Sequence, residues 1–246
     1  MWMRWSIPGG FYVSNDWRPY VGNTISSDPG GCWKSFIFAY PVVFRVVRGA
    51  TVPRIATPNP DRNLLKPFIV GAQDLEREGV RAITTSCGFL IFFQNEIAEQ
   101  LRVPFFASSL LQIPIVYRMV NGPLGIITAN SAALTHDHLR AAGMDESMQV
   151  VISGLEHCSN FASTFLQDTP RLDFAAVERE VVGAGEALLR KVPDIGAFIC
   201  ECHSSAPYGP AIERATGRPV FDIFPLIAMV TQAIAKPTFP VEAMRG

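Results

Sequence analysis

From residue 80 onward, short apolar runs alternate with longer segments whose apolar residues recur every three or four positions, and few architectures accept that alternation. The runs "VRAITTS" (80–86), "VPFFASS" (103–109), "LGIIT" (124–128), "QVVIS" (149–153), "GAFIC" (196–200) and "RPVFD" (218–222) read as strands. Helices are expected over 88–101, 110–120, 132–142, 173–191, 208–216 and 224–235, with Pro114 kinking the second of them. Strands separated by helices need crossover connections, so the chain is expected to be α/β with parallel-type sheets flanked by helices. Ligands of such folds gather beyond the carboxyl ends of the strands. A chain of 246 residues can bury one large core or fill two smaller lobes.

The first fifty residues follow another pattern. "SNDWRPYVGNTISSDPGGCWKSF" (14–36) is rich in Gly, Pro, Ser and Asn and reads as a long loop, of the kind that covers a site. "PVVFRVVRG" (41–49) alternates well enough for a strand. A formal net charge of -1 gives no basic footprint for nucleic acid and no polybasic stretch for a membrane surface. The start, "MWMRWSIPGGFYV", lacks the apolar core of a secretory signal, and no run approaches the ~18 apolar residues of a transmembrane helix. Five cysteines do not make a disulfide framework at this length. The expectation is a cytoplasmic protein with reduced thiols.

Two stretches share a layout. "AITTSCGFL" (82–90) and "FICECHSSAPY" (198–208) each run from an apolar strand through small or polar residues to a cysteine and then a helix. Cys87 and Cys202 therefore stand at strand ends, followed by free backbone N–H groups that stabilise a thiolate or a bound anion. Cys200 lies inside the apolar run and is expected in the core, and Cys32 and Cys158 read as structural. No metal site is expected. Cys200, Cys202 and His203 lack the spacing of a zinc site, and His136 and His138, two apart, cannot share a helical face and read as solvated residues of a first turn. "GAGEAL" (183–188) falls within a helix pattern and is no dinucleotide loop.

The blocks "ITTSCGFLIFFQ", "FFASSLLQIP", "GIITANSAAL" and "ECHSSAPYGPAIERATGRPVFD" resemble the aspartate/glutamate/hydantoin racemase superfamily, over most of the chain from "SFIFAYPVVFRVVRGAT" to "RATGRPVFDIF". The Cys-Gly-Phe and Thr-Ala-Asn-Ser stretches are also similar to those of the algal dimethylsulfoniopropionate lyases of the same superfamily. The resemblance implies two similar α/β lobes facing a cleft, one formed by residues 1–121 plus 223–246 and the other by 122–222, each supplying one cysteine. It also implies catalysis without a cofactor, one thiolate removing an α-proton from a small carboxylate and the opposite thiol returning one. After Cys202 this chain departs from the family pattern, which has Thr-Asn followed by Pro-Pro-Tyr. Here His203, Ser204, Ser205 and Ala206 precede Pro207 and Tyr208, so glutamate itself is not implied as the substrate.

That chemistry needs donors for the charge that develops on the substrate carboxylate. The substrate-binding residues expected are Thr85, Ser86, Gly88 and Phe89, the turn residues Thr128, Asn130 and Ser131, and Glu201 and His203 beside the second cysteine. His203 is expected to lend Cys202 positive charge or a hydrogen bond and make it the better base. The leading expectation is a racemase or epimerase of a small α-substituted carboxylate, compatible with a homo-oligomer. A lyase that expels a β-leaving group is the alternative, with Trp17, Tyr20, Trp33 and Tyr40 available to hold a sulfonium by cation–π contact. A binding protein that senses a small acid is the third.

Overall fold

The computed structural model describes residues 9–13, 42–167 and 172–235. Its first half runs β1 (Gly9–Val13), β2 (Val42–Val46), α1 (Val52–Ile55), α2 (Leu65–Arg77), β3 (Ala82–Thr85), α3 (Gln94–Ala98), β4 (Phe105–Phe106) and α4 (Ile113–Met119). The second runs β5 (Leu124–Thr128), α5 (His136–Ala141), β6 (Val150–Gly154), α6 (Ser159–Phe161), α7 (Phe174–Lys191), β7 (Ala197–Cys200), α8 (Gly209–Thr216) and β8 (Val220–Phe221), with α9 (Ile223–Ile234) after it.

Two four-stranded sheets result, ordered β2-β1-β3-β4 and β6-β5-β7-β8. The second is parallel throughout. Every residue of β5 and β7 is buried, as the covering of both faces by helices requires. The first sheet is mixed. β1 runs antiparallel to both β2 and β3, and only β3 and β4 are parallel. The α/β expectation holds, with the antiparallel β1 as the addition.

Local chemistry accounts for the helices. In α2 the buried residues are Phe68, Gly71, Ala72 and Leu75, the i, i+3, i+4, i+7 stripe of a surface helix. The Asp173 carboxylate accepts from the Ala176 N–H at 3.0 Å to start α7, and Arg190 and Lys191 occupy its last turn, where they oppose the helix dipole. Pro114 does not kink a helix. The chain passes through a 3-10 turn, Ser109–Gln112, and starts α4 at Ile113, placing Pro114 in the first turn, where a missing N–H costs nothing. Gly217 closes α8 with φ of 66°, a left-handed conformation that glycine adopts without strain.

A contiguous apolar core joins Ile83, Phe89 and Leu110 of the first half to Ile126, Phe198 and Ile199 of the second. Helix α9 packs Ile223, Leu226 and Ile227 against Ala82 and Phe106 of the first sheet and Ala206 beyond the second. Polar ties cross the same boundary. The Ser109 hydroxyl donates to the Cys200 carbonyl at 2.6 Å, and Gln112 Nε2 to the Asp222 carbonyl at 2.8 Å. The segment after β4 is thereby held against the ends of β7 and β8. Among the described residues no helix is long and apolar enough to cross a membrane.

Candidate active site

β3 ends at Thr85 and β7 at Cys200, and in each case two residues later a cysteine caps a 3-10 helix. Cys87 precedes Gly88–Phe93 and Cys202 precedes His203–Tyr208. Both are partly buried and both are free thiols. The backbone N–H groups of Phe89 and Leu90 favour the Cys87 thiolate, and those of Ser204 and Ser205, with the Ser204 hydroxyl, favour that of Cys202. Those donors do not win. Burial first, then the nearby Glu201 carboxylate, push the Cys202 thiol up to about 12. The same two causes, with Cys202 itself third, push Cys87 higher still. The helix starts expected from sequence are present, but the low-pKa thiols expected from them are not.

Glu201, between Cys200 and Cys202, is 1% exposed. Its Oε2 accepts from the Thr128 hydroxyl at 2.8 Å and from the Ala129 N–H at 3.4 Å. Its Oε1 is fully buried and has no hydrogen-bond partner. Burial outweighs the two donors and raises the carboxyl pKa to about 7. This carboxyl lies directly over Gly88, so that a Cβ there would overlap both the Glu201 side chain and its backbone carbonyl. Gly88→Ala is therefore expected to destabilise the fold by about 2 kcal/mol through overpacking, measured as a lowered midpoint in urea with an unchanged slope.

His203 does not activate Cys202. It is 6% exposed, neither ring nitrogen makes a hydrogen bond to Cys202, and burial pulls its pKa down to about 4, opposed only by the nearby Thr85 backbone. A neutral ring lends no positive charge, and the expectation from sequence is overturned. His138 is a second correction. It is fully buried rather than solvated, its ring 5.4 Å from that of Phe89 and 5.1 Å from that of Phe92, with its Nδ1 in a capping box with Thr135. His136, by contrast, is exposed.

The remaining candidates lie at the ends of β3 and β5, but several are already engaged. The Thr85 hydroxyl lies 2.8 Å from the Ala107 carbonyl and 2.9 Å from that of Cys87, donating to one at a time. Thr128 holds Glu201. Asn130 Oδ1 accepts from the Ala133 N–H at 3.2 Å. The Ser131 N–H and hydroxyl both donate to the Glu156 carboxylate. These side chains shape the turns instead of standing as free donors, with Ser86 on the turn between Thr85 and Cys87 and Phe89 in the core.

Sequence reading passed over three residues. Glu156, just past the end of β6, occupies the donors of Ser131, and its position beyond a strand was the signal available. Ser109 ties the segment after β4 to the end of β7, and nothing local marks it. Asp222 is 8% exposed, burial raises its pKa to about 6, and its Oδ1 accepts from the Phe224 N–H to start α9. Cys200 is fully buried, as expected. Cys32, the loop 14–36 and the aromatic residues Trp17, Tyr20, Trp33 and Tyr40 lie outside the described residues. Among the described residues no three His, Cys, Asp or Glu side chains group as a metal site.

No protein-family model matches the chain. In sequence it is similar to dimethylsulfoniopropionate lyase of Durusdinium sp. clade D, 29% identical over 201 residues that cover 79% of this chain and 66% of that one. It is also similar to dimethylsulfoniopropionate lyase 7 of Emiliania huxleyi, 30% identical over 224 residues covering 87% and 63%. The chain thus spans just under two thirds of the length of these curated relatives. In fold it is similar to allantoin racemase from Klebsiella pneumoniae, with a TM-score of 0.50 over 70% of this chain and 66% of that one at 15% identity.

Proposed function

Starting from a chain that has the aspartate/glutamate/hydantoin racemase fold and is a sequence relative of dimethylsulfoniopropionate lyases, we propose that it is a cofactor-independent enzyme acting on a small carboxylate. Its leading activity in this reading is racemisation or epimerisation at the α-carbon. One observation carries the proposal: two thiols cap matched turns at the ends of β3 and β7, and these turns touch, with Gly88 after Cys87 lying against Glu201 before Cys202. The lobes of the proposed cleft are 1–121 with 223–246 and 122–222.

In the reaction one sulfur takes the α-proton as a thiolate, and the second thiol donates its proton to the opposite face of the carbanion. The backbone N–H groups after each cysteine hold whichever sulfur is negative. Ser86 and the side-chain amide of Asn130 are assigned to the substrate carboxylate, whose charge grows as the proton leaves.

A second reading is favoured by the sequence relatives, which are lyases. Loss of the same α-proton from a substrate with a β-leaving group gives an unsaturated acid, and a single base suffices.

Incubating the protein with a panel of small carboxylates in deuterated water tests both. Solvent deuterium at the α-carbon without elimination is the expected result. An unsaturated acid moves the assignment to the lyase, and no change in any acid overturns the enzyme reading in favour of binding alone.

A further inference from the structure

Three acidic groups meet at the joined strand ends. The Glu201 carboxyl rests on Gly88, the residue after Cys87, and is itself the residue before Cys202. The groups around it are Cys87 from the turn after β3, Thr128 and Ala129 from the turn after β5, and Cys200, Cys202 and His203 on its own segment. Asp222 acts on Cys200 and adds negative character to this corner. Among the described residues no lysine or arginine contributes to Glu201 or to either thiol. His203 is neutral. A buried cluster of acids without a cation cannot carry several charges, because each added charge is repelled by those already present in a medium of low polarity.

We infer that Cys87, Cys202 and Glu201 titrate as one unit that above neutral pH holds a single negative charge, which rests on Glu201 in the free enzyme and passes to a thiol only when Glu201 takes up a proton. The geometry supplies the place for that proton, since Oε1 is fully buried and unpartnered while Oε2 is held by two donors. The change conserves charge: one S–H bond breaks, its proton passes directly or by exchange through solvent to Oε1 where one O–H bond forms, and the cluster stays at minus one. Glu201 is thus a positioning residue that acts through the thiols and sets the pH at which either becomes a base. The inference concerns thiol ionisation alone and holds for either reaction proposed above.

The test is iodoacetamide alkylation of the full chain across pH, with Cys87 and Cys202 followed separately by peptide mass spectrometry. In the wild type both should react with an apparent pKa above that of a free thiol, ~8.5. Glu201→Gln keeps the shape and removes the charge, so both profiles should move down by about one unit, roughly a tenfold faster reaction at pH 8. Cys158 serves as the internal control and should not change. A wild-type thiol at or below the free value, or unchanged profiles in folded Glu201→Gln, overturns the inference. Should that variant not fold, Thr128→Val replaces it. Loss of the hydroxyl favours protonated Glu201 and should speed both alkylations, and unchanged rates there overturn the inference equally. Because thiols and not turnover are read, a protein that converted no acid at all would leave this result standing.

Discussion

Cys87→Ser and Cys202→Ser are each expected to slow α-hydrogen exchange at least about a thousandfold, because a serine hydroxyl cannot serve as the base near neutral pH. Cys158→Ser, at a thiol away from both strand ends, should exchange within about twofold of the wild type. The pattern across the two variants also separates the reactions. A two-thiol racemase loses activity in both, whereas an elimination driven by one base loses it in only one. Near-normal exchange in both would remove the thiols from the mechanism. The measurement is proton NMR of the substrate in deuterated water, with unfolding midpoints recorded alongside to show that each variant is folded.

The pH dependence of stability should be nearly flat from pH 4.5 to 6.5 in the wild type and tilted, in opposite directions, by two substitutions. Glu201 has a folded pKa of about 7 against an ordinary 4.5. Between those values the unfolded chain ionises while the folded one stays protonated, so stability is lost as pH rises. Asp222, raised to about 6 from 3.8, acts in the same sense. His138 and His203, both lowered to about 4 from 6.5, act in the other, because the unfolded chain takes up protons that the folded one refuses as pH falls. Two groups of each kind roughly cancel in the shared window. Glu201→Gln should unmask the histidines and make the protein less stable at pH 4.5 than at pH 7, by about 3 kcal/mol. His203→Phe should unmask the carboxyls and reverse that slope. Urea unfolding at the two pH values measures both, and parallel curves for all three proteins would refute the assignment of these buried groups.

Where the residues state their own surroundings, the sequence was enough. The almost wholly apolar "LGIIT" and the apolar "AFIC" announce strands covered on both faces, and the repeated strand-to-cysteine layout locates Cys87 and Cys202 at matched ends. What escaped depends on partners distant in the chain. The centre of the first sheet is β1, whose role follows from pairing with β2 and β3 and not from its own five residues. Helix α2, with a clear apolar stripe, lies upstream of the alternation that begins at residue 80. The sign of the thiol shifts was misread for the same reason. Neighbouring N–H donors are visible in sequence, whereas burial and the Glu201 charge arise only when β3 and β7 are brought together. His138 reads as polar in "THDHL", and only Phe89 and Phe92, packed on it from the other half, make it a core residue.

Helix α9 lies against Ala82 and Phe106, strand residues synthesised long before it. On the ribosome the first sheet therefore emerges with an apolar patch that its own sequence neighbours do not cover, and α9 reaches it only after β8 has been made. Folding in order of synthesis would leave that patch open to misassociation in the interval. Closure of that part of the first sheet therefore waits until the strands of both sheets have been synthesised.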